Sequence, residues 1–257
     1  MGKVYLIGAG PGAADLITLR GARLLERANI VFHDALVQPE VLGLAGNARL
    51  VSVGKRCSQL STDQRFINRN LVEAAAKYEV VVRLKGGDPM LFGRAQEEID
   101  ALEAAGVSYE IVPGVTSALA ASAEVGVSWT RRGTSRSVVF ATPRVGEGEN
   151  VSDWAPAVAA ADAAALYMAA GRAADIAAIL EAHGMAAGTP VIIVENASTP
   201  ESRHLGSTLR ALKNGCVQGL SGPALMLIGD VFRKRAQALI SEEYRVADVP
   251  LRIAPHR

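Results

Sequence analysis

The residues best placed for chemistry lie in Val81-Val82-Arg83-Leu84-Lys85-Gly86-Gly87-Asp88-Pro89-Met90-Leu91-Phe92-Gly93-Arg94. A β-branched apolar run opens the stretch and reads as a buried strand. It breaks at Gly86-Gly87, where two glycines permit positive φ and let a ligand approach the backbone with no Cβ in the way. A loop leaving the C-terminal end of a parallel strand is where open α/β sheets place their ligands. Alone, Gly-Gly-Asp-Pro is also a generic turn. Its weight comes from two companions, Val4-Tyr5-Leu6-Ile7-Gly8-Ala9-Gly10-Pro11-Gly12 and Val112-Pro113-Gly114-Val115-Thr116-Ser117-Ala118.

The N-terminal glycines, with Asp34 a little over twenty residues further on, invite a dinucleotide-binding reading. Two details oppose it. The third glycine of that fingerprint should come one place later, and Pro11 has no N–H to offer a pyrophosphate. The segment suits a rigid wall beside a ligand better than a phosphate cradle. Asp34 follows Ile30-Val31-Phe32-His33, which places it at the C-terminal edge of a strand. Lys55-Arg56 is a basic pair, and Arg131, Arg132 and Arg136 form a second basic cluster. The four histidines and two cysteines show no metal-ligand or redox spacing, and Cys57 beside Arg56 reads as a bystander. No nucleophile-elbow motif supports hydrolysis.

The elements that position these residues follow from patterning. With 257 residues, of which 49% are hydrophobic, the chain supports one large domain or two smaller ones. A net charge of +1 and 5% aromatic content argue against a nucleic-acid partner. No apolar run reaches membrane-spanning length and no signal segment follows Met1, so a reduced, cytoplasmic setting is expected. Strands are expected at Val4–Ile7, Ile30–Phe32, Leu50–Val53, Val80–Leu84 and Tyr109–Val112. Helices are expected at Leu16–Ala28, Pro39–Leu44, Thr62–Lys77 and Arg94–Ala105. Ser61 and Gln64 are spaced as a capping box, and Gly106 as a C-terminal cap. Such alternation argues a parallel sheet covered on both faces.

Beyond the punctuation at Pro113-Gly114, Val115–Val125 reads as a small-residue helix. Strands are expected at Val138–Ala141, Leu166–Met168, Val191–Val194 and Leu225–Ile228, with a helix at Ala174–His183. The alanine-rich 155–165 segment reads as helix, because alanine is the best helix former. Residues 144–150 read as a surface loop. The expected division is an N-terminal α/β domain over 1–113, a C-terminal α/β domain over 114–235 and a tail over 236–257.

Taken together, G-A-G-P-G, R-L-K-G-G-D-P…F-G-R and V-P-G-V-T-S-A, in this order and spacing, resemble the tetrapyrrole methylases that use S-adenosylmethionine, and within them most resemble the uroporphyrinogen-III C-methyltransferases. The resemblance covers roughly residues 3 to 232. It implies two α/β domains with the ligand in the crevice between them. It also implies a homodimer that methylates uroporphyrinogen III twice to give precorrin-2, in the sirohaem and cobalamin branch, releasing S-adenosylhomocysteine.

Residue by residue, the resemblance implies methyl-donor contacts from Pro11, Gly86, Gly87, Asp88, Leu91, Thr116, Ser117, Met168 and Ala197. Asp34 matches the family's proton acceptor, and Lys55 in Val53-Gly54-Lys55-Arg56 its proton donor. Arg56, Arg131 and Arg132 suit a substrate with eight carboxylates, since guanidinium binds such groups bidentately. Three departures bear on the substrate. Ala35 stands where the family's D-R-L-V has arginine. Ser128 and Arg131 depart from P-L-T-H-R, and Thr142-Pro143-Arg144 replaces T-G-H. Three alternatives remain open: a sister methylase acting on another precorrin, a non-catalytic binder of donor or tetrapyrrole, and a nicotinamide-dependent oxidoreductase.

Overall fold

The computed structural model of the protein describes residues 1–54, 64–145, 152–217 and 219–247. Lys55, Arg56, Cys57 and Ser61, most of the 144–150 loop and the end of the tail therefore lie outside the described residues. Two compact units divide the chain, Met1–Ala120 and Ala121–Arg257.

The first unit holds β1 (Lys3–Gly8), α1 (Leu19–Glu26), β2 (Ile30–His33), α2 (Pro39–Leu42), β3 (Arg49–Ser52), α3 (Gln64–Ala75), β4 (Val80–Lys85), α4 (Ala95–Ala104) and β5 (Tyr109–Val112). Its sheet has the order β3-β2-β4-β1-β5, and every pairing is parallel. Period-two alternation divides the strand residues between two cores. Val4, Leu6, Ile30, Phe32 and Val81 pack under α3 and α4 with Ile67, Leu71, Ile99 and Leu102. Ile7, Val31, Val82 and Leu84 pack under α1 and α2 with Leu25, Val41 and Ala45. Both faces are covered, as a parallel sheet requires.

Element ends follow local chemistry. A short 3-10 turn occupies Ala14–Leu16, and Thr18 accepts from the Gly21 N–H at 3.1 Å, so α1 starts at Leu19, later than its pattern suggests. Gly106, at φ +65°, stops α4, while the Val107 N–H closes on the Leu102 carbonyl at 2.9 Å.

Following α5 (Ser117–Glu124), the chain forms β6 (Val138–Ala141), α6 (Trp154–Ala160), β7 (Ala163–Tyr167), α7 (Ala173–Ala182), β8 (Pro190–Glu195), β9 (Arg203–Thr208), α8 (Leu209–Lys213), β10 (Ala224–Gly229) and α9 (Arg233–Ala247). The second sheet has the order β6-β7-β10-β8-β9. Only β6 and β7 pair in parallel; the other pairings are antiparallel.

Here the pattern reading needs correction. The alanine run does not continue as helix to residue 165. Ala163, Ala164 and Ala165 are buried in β7, between β6 and β10. The Asp162 carboxylate anchors the strand's start by accepting the Arg136 and Ser137 N–H groups at 2.8 and 3.0 Å. Tertiary pairing thus overrides alanine's helix propensity. β9 and α8 had no expectation, because Arg203-His204-Leu205-Gly206-Ser207-Thr208 lacks an apolar alternation. A Cβ at Gly206 would stand 2.3 Å from the Ala236 carbonyl oxygen, so α9 packs directly on this strand.

Leu102 is fully buried between α3, α4 and the first sheet. Leu102→Ala is expected to cost about 2–5 kcal/mol, read as a lower urea midpoint at unchanged slope.

Candidate active site

Buried charge organises the first sheet. Arg83 and Lys85 alternate with Val82 and Leu84 along β4, so both point to the face covered by α3 and α4. Neither reaches solvent, and Glu98 from α4 is completely buried between them. Its Oε1 accepts from Arg83 Nε at 2.9 Å and Lys85 Nζ at 3.1 Å, and its Oε2 accepts from Lys85 Nζ at 3.0 Å. Gln64 of α3 adds a donor to Oε1 at 3.3 Å. The far end of the Arg83 guanidinium donates from Nη2 to Asp34 Oδ1, just past β2. Two cations therefore meet two carboxylates, and the cluster is formally neutral. Burial pulls the Arg83 guanidinium down, yet Asp34 and Glu98 outweigh it and hold it above its ordinary value. Burial, reinforced by the Arg83 charge, pushes the Lys85 ammonium down despite Glu98.

One carboxylate oxygen of Asp34 is thus fixed from beneath, and among the described residues Oδ2 has no hydrogen-bond partner. Asp34 stands at the carboxyl edge of the sheet, where the loops after β1, β4 and β5 are stitched together by glycine. Gly87 donates its N–H to the Gly10 carbonyl at 2.7 Å, and Gly10 returns one at 3.3 Å. A Cβ on Gly114 would lie 2.3 Å from the Gly87 oxygen, and one on Gly8 2.6 Å from Gly114. Gly54 packs as closely, with a Cβ there falling 2.1 Å from the Ala35 nitrogen. These three glycines exist for backbone contact.

Gly86 and Gly87 differ from them. A Cβ on Gly86 would meet only the Leu36 Cβ at 3.5 Å, and one on Gly87 only the Thr116 Cα at 3.9 Å. A Cβ would fit at either position in ordinary van der Waals contact, so close backbone packing does not demand glycine at this turn. Asp88 ties the edge together, its Oδ1 accepting the Met90 N–H at 2.8 Å and its Oδ2 the Gly114 N–H at 2.9 Å. Pro11 is half-buried in the turn after β1, Leu91 donates its N–H to the Asp88 carbonyl, and Thr116 and Ser117 open α5. The Gly10 N–H is turned to the Gly87 carbonyl and Pro11 has none, so neither position can offer a donor to a phosphate.

In the second unit, β6, β7 and β8 run in the same direction, so their carboxyl ends share one edge. Met168 and Asn196 leave β7 and β8 at φ +55° and +52°, a conformation side-chain-bearing residues seldom adopt. Met168 stays 47% exposed, whereas Ala197 is buried. Arg144, from the end of β6, brings Nη1 to 3.8 Å from the Met168 sulfur. Arg131 and Arg132 lie in an exposed turn closed by the Arg131 and Ser135 main chains at 2.9 Å. Glu195, the last residue of β8, is buried and accepts the Ser221 and Gly222 N–H groups at 2.6 and 2.7 Å and Arg203 Nη1 at 3.2 Å.

The structure thus brings Asp34, Pro11, Gly86, Gly87, Asp88 and Thr116 to one edge of the first sheet, and Met168 and Ala197 to one edge of the second. Glu98 was missed from the sequence, although a signal existed. Two cations at alternate positions of a buried strand require a buried anion, and Glu98 shares its helical face with Ala95, Ile99 and Leu102.

Two sheets of α/β type, with a glycine-walled edge above a buried ion network, describe a small-molecule-binding enzyme scaffold. The pattern of the Tetrapyrrole (Corrin/Porphyrin) Methylases matches residues 3–213, and the chain belongs to that family. Siroheme synthase of Azotobacter vinelandii is 39% identical over 250 residues, which is 96% of this chain and 54% of that protein. Siroheme synthase of Zymomonas mobilis is 41% identical over 231 residues, 90% of this chain and 49% of that one. The chain spans about half the length of these relatives. Uroporphyrin-III C-methyl transferase from Thermus thermophilus, solved with S-adenyl homocysteine, is 40% identical with a TM-score of 0.81, covering 91% of this chain and 100% of that one.

Two predictions follow from the buried acids. Glu98→Ala leaves Arg83 and Lys85 facing each other, and is expected to cost about 3–5 kcal/mol in denaturant unfolding. For Glu195, burial raises the carboxyl, but the Gly222 and Ser221 N–H groups and Arg203 outweigh it and hold the group below its ordinary 4.5. Stability from this group is present above the ordinary carboxylate range and lost as pH falls through the lowered folded value. Glu195→Gln should therefore flatten the acid side of a stability–pH profile. An unchanged acid slope would reject that assignment.

Proposed function

We propose that this chain is an S-adenosylmethionine-dependent C-methyltransferase that methylates uroporphyrinogen III twice, giving precorrin-2 and S-adenosylhomocysteine. The observation that carries this reading is a carboxylate held from below beside a glycine turn that backbone packing does not crowd. Asp34 is anchored through Oδ1 by Arg83, and Leu36 of the same loop lies beside Gly86, where a Cβ would still fit. The Thermus thermophilus relative, matched over its whole length, supports the same reading.

The residues present fit the donor. Gly86 and Gly87 form a turn that backbone packing does not crowd, Asp88 keeps lone pairs beyond its two N–H contacts, and Met168 presents an exposed thioether side chain. With Pro11, Leu91, Thr116, Ser117 and Ala197 they form the donor contacts of this proposal. Bound S-adenosylmethionine supplies an electrophilic sulfonium methyl group, and a pyrrole ring carbon is an enamine-like nucleophile. Because both partners are already reactive, alignment does much of the work, worth about 7–11 kcal/mol in well-oriented systems.

Asp34 then takes the proton released from the methylated ring through Oδ2, while Arg83 keeps the carboxylate in place through Oδ1. Lys55 is proposed as the proton donor, and Arg56, Arg131 and Arg132 as cations for the substrate's carboxylates. The proposal includes a cytoplasmic homodimer, tested by light scattering of the purified protein. Among the described residues no helix is long and apolar enough to cross a membrane.

A sister reading, methylation of another precorrin, is favoured by Ala35, Arg131 and Thr142-Pro143-Arg144. Anaerobic incubation with uroporphyrinogen III and methyl-labelled donor, read by mass, separates the two. Two added methyl groups are expected. None, with donor binding intact by calorimetry, moves the assignment to a later precorrin. Asp34→Asn should lower kcat by about 10²–10⁴ while S-adenosylhomocysteine affinity holds. Equal loss of both would count against a proton-accepting role.

A further inference from the structure

Glu124 is the last residue of α5, where a carboxylate faces the negative end of the helix dipole and is disfavoured. Three groups converge on it. Oε1 accepts the main-chain N–H of Ser198 at 2.7 Å, Oε2 accepts the Ser202 hydroxyl at 2.9 Å, and His204 Nε2 lies 3.4 Å from Oε2. Ser202 Oγ is also 3.3 Å from the same Nε2. In a nucleophile relay the imidazole would stand between hydroxyl and carboxylate, using both ring nitrogens. Here hydroxyl and carboxylate both address Nε2 and touch each other, so the group is a clamp.

What it clamps is the turn leaving β8. Asn196 and Ser198 have positive φ, +52° and +65°, and such residues persist only where their surroundings hold them. The near side is fixed by the Asn196 N–H on the Pro223 carbonyl at 2.9 Å. The Thr199 N–H and hydroxyl both return to the Asn196 carbonyl, at 3.1 and 2.9 Å. On the far side the Ser202 N–H reaches the Thr199 carbonyl at 3.0 Å, and the carboxylate of Glu124 takes the Ser198 N–H. Ala197 sits between the two left-handed residues.

We infer that Glu124 is a positioning residue for the methyl donor: by holding the Ser198 N–H, it sets the main chain of residues 196–198 in the shape that receives the donor. This rests on the proposed donor contact at Ala197, and the two can be separated.

The test combines calorimetry with S-adenosylhomocysteine and hydrogen–deuterium exchange on the whole chain. In the parent protein, S-adenosylhomocysteine should slow amide exchange across residues 196–199. Glu124→Ala should speed exchange there and raise Kd about tenfold, whereas Glu124→Gln, which keeps an oxygen for the Ser198 N–H, should raise it only about threefold. A purely structural role would lower Tm without moving Kd. An unchanged Kd in Glu124→Ala despite faster exchange overturns the inference. Should Glu124→Ala not fold, the Kd of Glu124→Gln decides, and parent affinity with faster loop exchange overturns it. Binding that leaves exchange of residues 196–199 untouched in the parent overturns the donor contact and, with it, the role of Glu124. No binding in the parent overturns the donor reading itself.

Discussion

The first unit depends on one buried contact, that of Glu98 with Arg83 and Lys85. Two cations in the middle of a parallel sheet would be prohibitively costly if unpaired. Once α4 supplies Glu98 and α3 supplies Gln64, the cluster is neutral and its donors are directed. The network links β4 to both covering helices, and through Arg83 it reaches Asp34 after the neighbouring β2. Replacing such a cluster by apolar side chains often stabilises a protein, so stability alone does not explain its presence. What the cluster adds is a fixed carboxylate at its rim: Arg83 holds Asp34 Oδ1, and the Leu84 carbonyl accepts the Asp34 N–H at 3.2 Å.

Above that network the edge is built from main chain. Gly8, Gly54 and Gly114 sit where any side chain would strike a neighbouring backbone, and their close contacts draw successive loops together. Asp88 fastens the loop after β4 to the loop after β5 by accepting the Gly114 N–H. At Gly86 and Gly87, by contrast, a Cβ would find room in ordinary van der Waals contact. Packing of main chain on main chain leaves little at this edge to reorganise.

The second unit reaches a comparable result by other means. Its sheet is mostly antiparallel, yet β6, β7 and β8 still end at one edge, because β10 reverses direction between β7 and β8. Left-handed residues at Met168, Asn196 and Ser198 turn the chain there, and a part-buried carboxylate holds the last of them. Glu195 secures Ser221 and Gly222, and Glu124 secures Ser198. Aromatic contacts stiffen the neighbouring segment, with Trp129 edge-on to Phe140 at 5.7 Å and to Phe232 at 5.1 Å.

By itself the sequence determined the family, the five strands of the first sheet and the helices between them. Buried parallel strands are continuous β-branched runs and their covering helices are amphipathic, so both signals are local. It also placed Gly86-Gly87 and Asp34 at the C-terminal ends of strands, but that those strands are neighbours was decided by the sheet order, which sets β2 beside β4. Tertiary structure alone decided what charge and pairing do at a distance. Ala163–Ala165 became strand because β6 and β10 flank them, and β9 formed because β8 offered an edge to a weakly patterned segment. Glu98 met Arg83 and Lys85, and Glu124 met Ser198, across 15, 13 and 74 residues of chain. Such partners are chosen by which faces pack together, a choice that no local window of residues contains.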